Sequence, residues 1–381
     1  MTPGPGRALS LAVLLLVGGS SRAADPSCPV VALWPTQGWL IEANDTGAAH
    51  LAEVAALESY AFTLTGKEEA RVGIRTDAVL IVHQGKIIYE KYGHGWNGLQ
   101  RHEGWSVAKS VSATLLGIAV QRGAMTLEDS ICKSLPSLPA KSCGVKVGHL
   151  REFASGFDFS EVYENRGNQA SSTIAMLYGE GHADMAGFVA NHTLSHPPGT
   201  WFNYSSGDAT LLAATVDGAL LPSLGKGYPW TLLFNPLGMT SAVFERDLES
   251  HLVGGAYFYA TARDYAKLGY LWRHDGCWTG QRLLPSGYMR DSVQVTDAYR
   301  ANPESDGVQG RQFWINVAVA DRQIKQPWPD APADAFSAIG HWGQYVTVIP
   351  SRDLIIVRLG DDRDDTFDLN RFLKLALAVS P

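Results

Sequence analysis

The sequence predicts an α+β fold: one antiparallel sheet built from both chain ends and flanked by helices, with a mostly helical lobe inserted between them. Strand-like patterns occur early, in residues 78–92, and return only late, in residues 312–359. Residues 125–250 between them are rich in loops and short helical stretches. The length of 381 residues and the hydrophobic content of 45% allow a large buried core.

The first predicted elements are a hairpin and a buried helix. Apolar runs within Ala78–Tyr92 flank a turn at Gln84-Gly85, which is typical of two antiparallel strands. The helix predicted for residues 106–121 is apolar on nearly all sides, which is typical of a helix in the middle of a protein. Gly123 is a suitable residue to end it.

Later elements follow from the same two periodicities. The predicted helices are 172–178, 185–189, 262–272 and 367–379, and the predicted strands are 312–318, 345–349 and 354–359. The last two strands are joined by the turn-forming residues 350–353. These elements predict a sheet lobe of about residues 50–124 and 251–381 and an insertion of about residues 125–250. The helix at Ser106 would lie at the seam, where ligand clefts are common.

The first 23 residues predict an export signal. Arg7 precedes an apolar run that is too short to span a bilayer, and Ser21-Arg22-Ala23 fits a cleavage site. Residues 24–381 would then form a periplasmic or secreted protein with no membrane segment. Loss of Arg7 and Arg22 changes the formal charge from −7 to −9, which argues against a nucleic-acid partner. The sequence leaves the oligomeric state open.

The four cysteines predict disulfides, because the chain is predicted to be exported. Cys132 and Cys143 flank a loop rich in Pro and Ser and are expected to pair, which leaves Cys28 to pair with Cys277. Neither cysteines nor histidines show metal-ligand spacing in a plausible element, so no metal and no other cofactor is predicted.

Ser106 and Lys109 are the strongest candidates for chemistry. Residues at i and i+3 share a helix face, so the Lys109 amine can reach the Ser106 hydroxyl. A buried lysine near a helix start can be neutral and can accept the serine proton. The alternative is that Ser106 only caps the helix. Two further Ser-x-x-Lys matches, at Ser130 and Ser223, lie in loop-like sequence without an apolar helix behind them.

Two further segments could complete an acyl-transfer site. Tyr204 lies in an aromatic run before a helix start and could carry a proton to a leaving group. Near the carboxyl end, Gly343 precedes Gln344, whose backbone N–H is predicted to form an oxyanion hole with that of Ser106. Trp201, Phe202 and Tyr204, with Trp342 opposite, could wall a cleft for a small acyl group or could simply be packing.

The order of these motifs resembles the serine β-lactamase and penicillin-binding-protein superfamily, over roughly residues 75–380. It is most similar to the class C-like branch, which holds esterases, DD-peptidases and 6-aminohexanoate-dimer hydrolases. The supporting phrases are Ser106-Val107-Ala108-Lys109, Ser155-Gly156-Phe157-Asp158, Pro198-Gly199-Thr200, Tyr204-Ser205-Ser206, Ala260-Thr261-Ala262-Arg263-Asp264 and His341-Trp342-Gly343-Gln344-Tyr345. The resemblance implies a β-lactamase/transpeptidase-like fold and a site of Ser106, Lys109 and Tyr204, with Ser206, His341, Trp342 and Gly343 binding substrate.

Two departures from the family pattern bear on the substrate. Ser206 stands where β-lactamases usually have an asparagine, and His341-Trp342-Gly343 stands where they have Lys-Thr-Gly. Histidine lacks the permanent positive charge that would hold a substrate carboxylate. The resemblance therefore implies hydrolysis of a small ester, amide or peptide-like substrate rather than strong penicillinase activity.

Two alternatives remain at this point. In an α/β-hydrolase, Ser106 would sit on a nucleophile elbow and His341 would be the triad histidine. The residues before Ser106, Gln100-Arg101-His102-Glu103, are too polar for the buried strand that an elbow needs. The chain could also be a sensor or scaffold that binds a ligand without turning it over.

Overall fold

The strands and helices come from a computed structural model that describes Met1 and residues 28–42, 50–70, 72–163, 170–305, 307–364 and 366–380. Apart from Met1, the predicted leader and its cleavage site lie outside the described residues. The strands are β1 (Leu40–Ile41), β2 (Thr76–His83), β3 (Lys86–Tyr92), β4 (His102–Glu103), β5 (Val243–Phe244), β6 (Phe258–Ala260), β7 (Cys277–Trp278), β8 (Gln281–Arg282), β9 (Trp314–Ile315), β10 (Phe336–Gly340), β11 (Gln344–Ile349) and β12 (Leu354–Gly360).

The helices occupy the chain ends and most of the middle. They are α1 (Leu51–Phe62), α2 (Val107–Gln121), α3 (Ile131–Ser134), α4 (Val147–Arg151), α5 (Ser172–Tyr178), α6 (Met185–Ala190), α7 (Ser206–Leu224), α8 (Asn235–Leu237), α9 (Ala262–Arg273), α10 (Tyr288–Ser292), α11 (Asp297–Ala301) and α12 (Leu369–Val379). A π-helical turn (Trp230–Phe234) precedes α8.

Within the described residues, the main sheet has the strand order β1-β3-β2-β12-β11-β10-β9. All its pairs are antiparallel except β1 with β3. The central pair joins the two chain ends, because His83 on β2 faces Leu354 on β12. The predicted α+β fold, with an antiparallel sheet that draws on both ends of the chain, is therefore confirmed.

Helices cover both faces of this sheet. Alternation along β2 sends Leu80 and Val82 into a core cluster shared with α2, α7 and α9, while Val79 and Ile81 enter a second cluster with α1 and α12. This explains why the strand is apolar at nearly every position: it is buried on both faces.

Helix α2 lies in the middle of the larger cluster. Its residues are buried from Val107 to Ala119, as its all-round apolar sequence predicted, and it packs against α7 and β10. Helix α7 is buried over most of its length as well. Two buried helices therefore present their amino-terminal ends, at Ser106 and Ser206, inside the molecule.

Both disulfides are present: Cys132 is bonded to Cys143, and Cys28 to Cys277. The second bond fastens residues 28–42 to α9 and β7, where the Trp34 ring contacts those of Tyr270 and Trp278. In the part of the chain that the structure describes, no helix is both long and apolar enough to cross a membrane.

The sequence analysis missed one strand and overextended another. Strand β10 was not predicted, because its sequence Phe-Ser-Ala-Ile-Gly is short and rich in small residues. The strand predicted for residues 312–318 is only Trp314–Ile315. The Asn316 N–H still bonds to the Ala335 carbonyl, and its side-chain amide bonds to the carbonyls of Trp328 and Pro332. Both differences lie beside the candidate site.

Candidate active site

Ser106 stands at the entrance of α2 with its side chain free of the capping role. It occupies the position before the first helical residue, yet its hydroxyl accepts no backbone hydrogen bond of the helix. The hydroxyl instead accepts a hydrogen bond from Lys109 Nζ at 2.8 Å. The explanation of Ser106 as a simple helix cap therefore fails, and the predicted contact between the two side chains is present.

Lys109 is buried, with 2% of its surface exposed, and its amine makes three hydrogen bonds. Besides Ser106, the amine donates to Ser206 Oγ at 2.8 Å and to the Gly255 carbonyl at 3.1 Å. Its nearest carboxylate oxygen is Glu161 Oε1, at 3.7 Å. The amine is thus held in one place by three acceptors, none of which carries a formal charge.

Burial lowers the pKa of Lys109 to about 8, and the nearby Glu161 carboxylate opposes this shift. A lysine with such a pKa is neutral in a useful fraction of molecules near neutral pH. The side chain can therefore accept a proton from the hydroxyl that it already contacts.

Glu161 is a residue of the site that the sequence analysis did not find. Its carboxylate accepts hydrogen bonds from the backbone N–H of Ser206 at 2.7 Å and from the Ser206 hydroxyl at 2.6 Å. Thr173 and Tyr163 also donate to it through their hydroxyls. The carboxylate thus lies at the start of α7, where a negative charge is favoured, and no local motif marks Glu161 in the sequence.

Tyr204 lies against the amine from the other side. The Lys109 nitrogen is 4.8 Å from the centre of the Tyr204 ring. Burial and the Glu161 carboxylate raise the pKa of Tyr204 well above 10, and interaction with the Ser106 hydroxyl only partly offsets them. Tyr204 therefore keeps its proton over the ordinary pH range, which suits a proton donor.

The Gln344 N–H, which the sequence predicted as an oxyanion donor, lies in the ladder between β10 and β11. Gln344 is fully buried, and it pairs with Gly340 across the β10–β11 hairpin. Hydrogen-bonded and non-hydrogen-bonded pairs alternate along antiparallel strands. The bond from the Gln84 N–H to the Asp353 carbonyl fixes this alternation between β2 and β12, and the register through β12 and β11 then makes Gln344 and Gly340 a hydrogen-bonded pair. Its side-chain amide donates to the Gly360 and His341 carbonyls. Gln344 is therefore an anchor of the sheet.

By the same register, the Ile339 N–H points to the other edge of β10, the edge that pairs with β9. There β9 pairs only with Phe336 and Ser337, so it ends before Ile339. The next residue, Gly340, lies against the carbonyl of Gly104, and a Cβ at Gly340 would come within 2.0 Å of that oxygen. Strand β10 therefore passes close to the turn that carries Ser106, whose own N–H has no backbone partner among the described residues.

His341-Trp342-Gly343 forms the turn between β10 and β11. Trp342 and Gly343 have φ values of 58° and 87°, which extended strands do not adopt. The His341 ring stacks on that of Tyr163 with centroids 4.8 Å apart, and it meets Trp105 edge-on. Contact of these residues with substrate remains a prediction.

A cavity of about 650 Å³ opens beside Tyr204 and Glu161. Trp201 and Phe202 also line it, which fits the predicted aromatic cleft. Trp342 does not line it: its ring lies 5.1 Å from that of Trp105 and 4.0 Å from the Arg363 guanidinium. Among the described residues, no group of three or more His, Cys, Asp or Glu side chains is placed to hold a metal ion.

Comparisons with known proteins identify the family of the chain. The family model described as Beta-lactamase matches residues 64–378. The chain belongs to the β-lactamase family. It is 24% identical to the 6-aminohexanoate-dimer hydrolase of Paenarthrobacter ureafaciens over 322 residues, which cover 80% of this chain and 78% of that one.

Solved structures of two other kinds share the fold. A penicillin-binding protein homologue from Caulobacter crescentus has a TM-score of 0.63 at 13% identity and covers 87% of this chain and 97% of its own. A family VIII carboxylesterase has a TM-score of 0.62 at 14% identity, over 87% of this chain and 96% of its own.

The resemblance seen in the motifs is confirmed, and so is the assignment to β-lactamase-related serine hydrolases. The α/β-hydrolase alternative is wrong, because the chain belongs to the β-lactamase family and its central strands β2, β12, β11 and β10 are antiparallel neighbours.

Proposed function

We propose that this β-lactamase-family protein hydrolyses small esters or amides through an acyl-enzyme on Ser106. The observation that carries the proposal is the 2.8 Å hydrogen bond from Lys109 Nζ to Ser106 Oγ, made by a buried amine whose pKa is about 8. A serine needs an adjacent base to become a nucleophile. This pair meets the requirement in distance and in protonation.

In the acylation step, neutral Lys109 takes the Ser106 proton as the oxygen attacks the substrate carbonyl. The backbone N–H groups of Ser106 and Ile339 are the proposed donors to the oxyanion, since both lie at the meeting of α2 and β10 without a partner in either element. Tyr204 then gives its proton to the leaving group and regains one from Lys109.

Lys109 is favoured over Tyr204 as the base in acylation. A base must be unprotonated before it can act, and the pKa of Lys109 is about 8 whereas that of Tyr204 is raised above its ordinary value of 10. Near neutral pH the unprotonated lysine therefore outnumbers the tyrosinate by a wide margin. Tyr204 is left as the donor.

Ser206 and Glu161 support the positive charge that Lys109 acquires. The Ser206 hydroxyl accepts from the amine and donates to Glu161, so the carboxylate acts on the amine through one intervening group. These hydrogen bonds support a role for Ser206 in proton transfer rather than in substrate binding. Glu161 is accordingly a positioning residue.

The proposed substrates are small and ester- or amide-linked. One similar protein is named a 6-aminohexanoate-dimer hydrolase, and another protein that shares the fold is named a carboxylesterase. Ser206 and His341 stand in place of the asparagine and lysine that most β-lactamases carry. β-Lactams are thus proposed to be poor substrates.

The protein is proposed to work outside the cytoplasm, in the periplasm or after secretion. The leader pattern of residues 1–23 and the two disulfides support this, because disulfides persist in oxidising compartments. We also propose that the chain divides into a sheet lobe, about residues 50–124 and 251–381, and a helical insertion, about residues 125–250.

Mass spectrometry after incubation with p-nitrophenyl esters, linear amides and β-lactams tests the function. The parent protein should carry an acyl adduct on the peptide containing Ser106, and Ser106→Ala should carry none and lose hydrolysis. Ser223→Ala is the matched control, because Ser223 begins another Ser-x-x-Lys sequence in which the serine bonds only to the Leu220 carbonyl. Turnover by Ser106→Ala within about tenfold of the parent would refute the proposal, and a parent with neither adduct nor turnover would favour the ligand-binding alternative.

A further inference from the structure

The cavity beside Tyr204 contains a polar side chain that the fold leaves unused. Gln309 is 2% exposed and lines the cavity. In the described part of the chain its side-chain amide makes no hydrogen bond, although its backbone forms a bridge with Trp314. An amide that has no protein partner and faces a cavity is left to water or to a ligand that enters the cavity.

An amide side chain offers one acceptor oxygen and two donor hydrogens at a fixed spacing. It can therefore satisfy another amide by donating to its carbonyl and accepting from its N–H. A hydrocarbon group would leave both the oxygen and the nitrogen of the Gln309 amide without a partner. A carboxylate could accept from the nitrogen but would leave the oxygen without a donor. The group that Gln309 fits best is an uncharged amide.

The remaining walls favour a flat, uncharged group. Trp201 and Trp314 line the cavity, and the Trp314 ring lies 5.7 Å from that of Tyr204. The charged side chains among the described lining residues are Asp158, Glu161 and Glu304, with neither lysine nor arginine. A carboxylate would therefore meet repulsion and no cation.

Tyr204 connects this cavity to the chemistry. It is the proposed proton donor to the leaving group, and its ring forms part of the cavity wall, whereas Ser106 is not among the lining residues. A leaving group that takes its proton from Tyr204 must lie on the Tyr204 side of the scissile bond. We propose that the cavity is the leaving-group subsite and that it selects an uncharged, amide-bearing leaving group through Gln309. This inference rests on the proposed function.

The test uses three acetate esters with the same acyl group, those of 4-acetamidophenol, 4-propylphenol and 4-hydroxybenzoic acid. Gln309→Met keeps the length of the side chain and removes the amide. The ratio of kcat/KM for the acetamido ester to that for the propyl ester should fall about fivefold to tenfold, the effect of one lost hydrogen bond. Gln294→Met, the same substitution at an exposed position outside this cavity, should leave the ratio unchanged.

The carboxylate ester should be the poorest substrate of the parent enzyme, and added salt should reduce its disadvantage. A second measurement needs no variant: free 4-acetamidophenol should inhibit hydrolysis of p-nitrophenyl acetate competitively and more strongly than 4-hydroxybenzoate. This measurement decides the matter if Gln309→Met does not fold.

Three results would overturn the inference. The ratio could be unchanged in Gln309→Met, the two phenols could inhibit equally, or Gln309→Met could slow release of the common acetyl group, which would put the acyl part in the cavity. In each case the parent still hydrolyses esters, so only the subsite is refuted. A parent that forms no acyl-enzyme with any ester refutes the proposed function itself.

Discussion

Lys109 Nζ and Glu161 Oε1 lie 3.7 Å apart, with the Ser206 hydroxyl between them. The hydroxyl accepts from the amine at 2.8 Å and donates to the carboxylate at 2.6 Å. Burial favours the neutral amine, whereas Glu161 favours the ammonium. The pH range in which Lys109 can act as a base therefore depends on the balance between desolvation of its amine and the negative charge of Glu161.

The first prediction concerns the pH dependence of kcat/KM for a neutral ester. Activity should rise as the pH rises through about 8, because Lys109 must lose its proton before it can accept one from Ser106. Glu161→Gln removes the charge that raises the pKa of Lys109, so the rising limb should move to lower pH.

The matched control for that experiment is Glu180→Gln, at an exposed glutamate. Its profile should coincide with that of the parent. A limb that stays in place in Glu161→Gln would show that the carboxylate does not act on the base. Movement to higher pH would mean that some other group titrates.

A second prediction concerns the contact between β10 and the turn before Ser106. In Gly340→Ala the new methyl group would lie 2.0 Å from the Gly104 carbonyl oxygen, so the strand must move. We expect a loss of about 1–3 kcal/mol in the free energy of unfolding and a fall in kcat that exceeds the change in KM, because the Ile339 N–H moves with the strand. Urea unfolding and steady-state kinetics measure both effects.

Gly227→Ala controls for the substitution itself, since a Cβ at Gly227 meets no atom within 4 Å and its φ is not positive. It should change neither quantity appreciably. Normal kcat in a destabilised Gly340→Ala would argue against Ile339 as an oxyanion donor.

The third prediction separates stacking from catalysis at His341. The imidazole lies flat against the Tyr163 ring, so His341→Phe should preserve the packing of the turn. We expect kcat/KM on a neutral ester to stay within about tenfold of the parent. A loss of about three decades, the usual effect of removing a catalytic group, would assign His341 a part in proton transfer.

The fourth prediction compares the two disulfides. The Cys28–Cys277 bond spans 249 residues and the Cys132–Cys143 bond spans 11. Loop-closure entropy gives about 5 kcal/mol for the long loop and about 3 kcal/mol for the short one. Thermal unfolding of the two double-serine variants should therefore show the larger fall in Tm for Cys28→Ser/Cys277→Ser. Equal falls would indicate that contacts in the folded state decide the effect.

The sequence revealed the parts of the site that are local along the chain. Ser106 and Lys109 share one turn of a helix whose burial follows from its composition, so their contact could be predicted. The positions of the Ile339 and Gln344 N–H groups could not be predicted, because the free edge of β10 depends on where β9 stops and on a register fixed by strands far away in the sequence. Glu161 is an isolated acid in a loop, and only the tertiary fold brings it to Ser206.

The pairing of His83 with Leu354 has a consequence for synthesis of the protein. A chain made from its amino end contains Ser106 and Lys109 long before residue 339 and the strand that completes the middle of the sheet. The proposed nucleophile and its proposed base therefore exist for much of translation without the proposed oxyanion donor or a closed core. A nascent or truncated chain would remain inert, and hydrolysis would begin only when the carboxyl-terminal strands have joined.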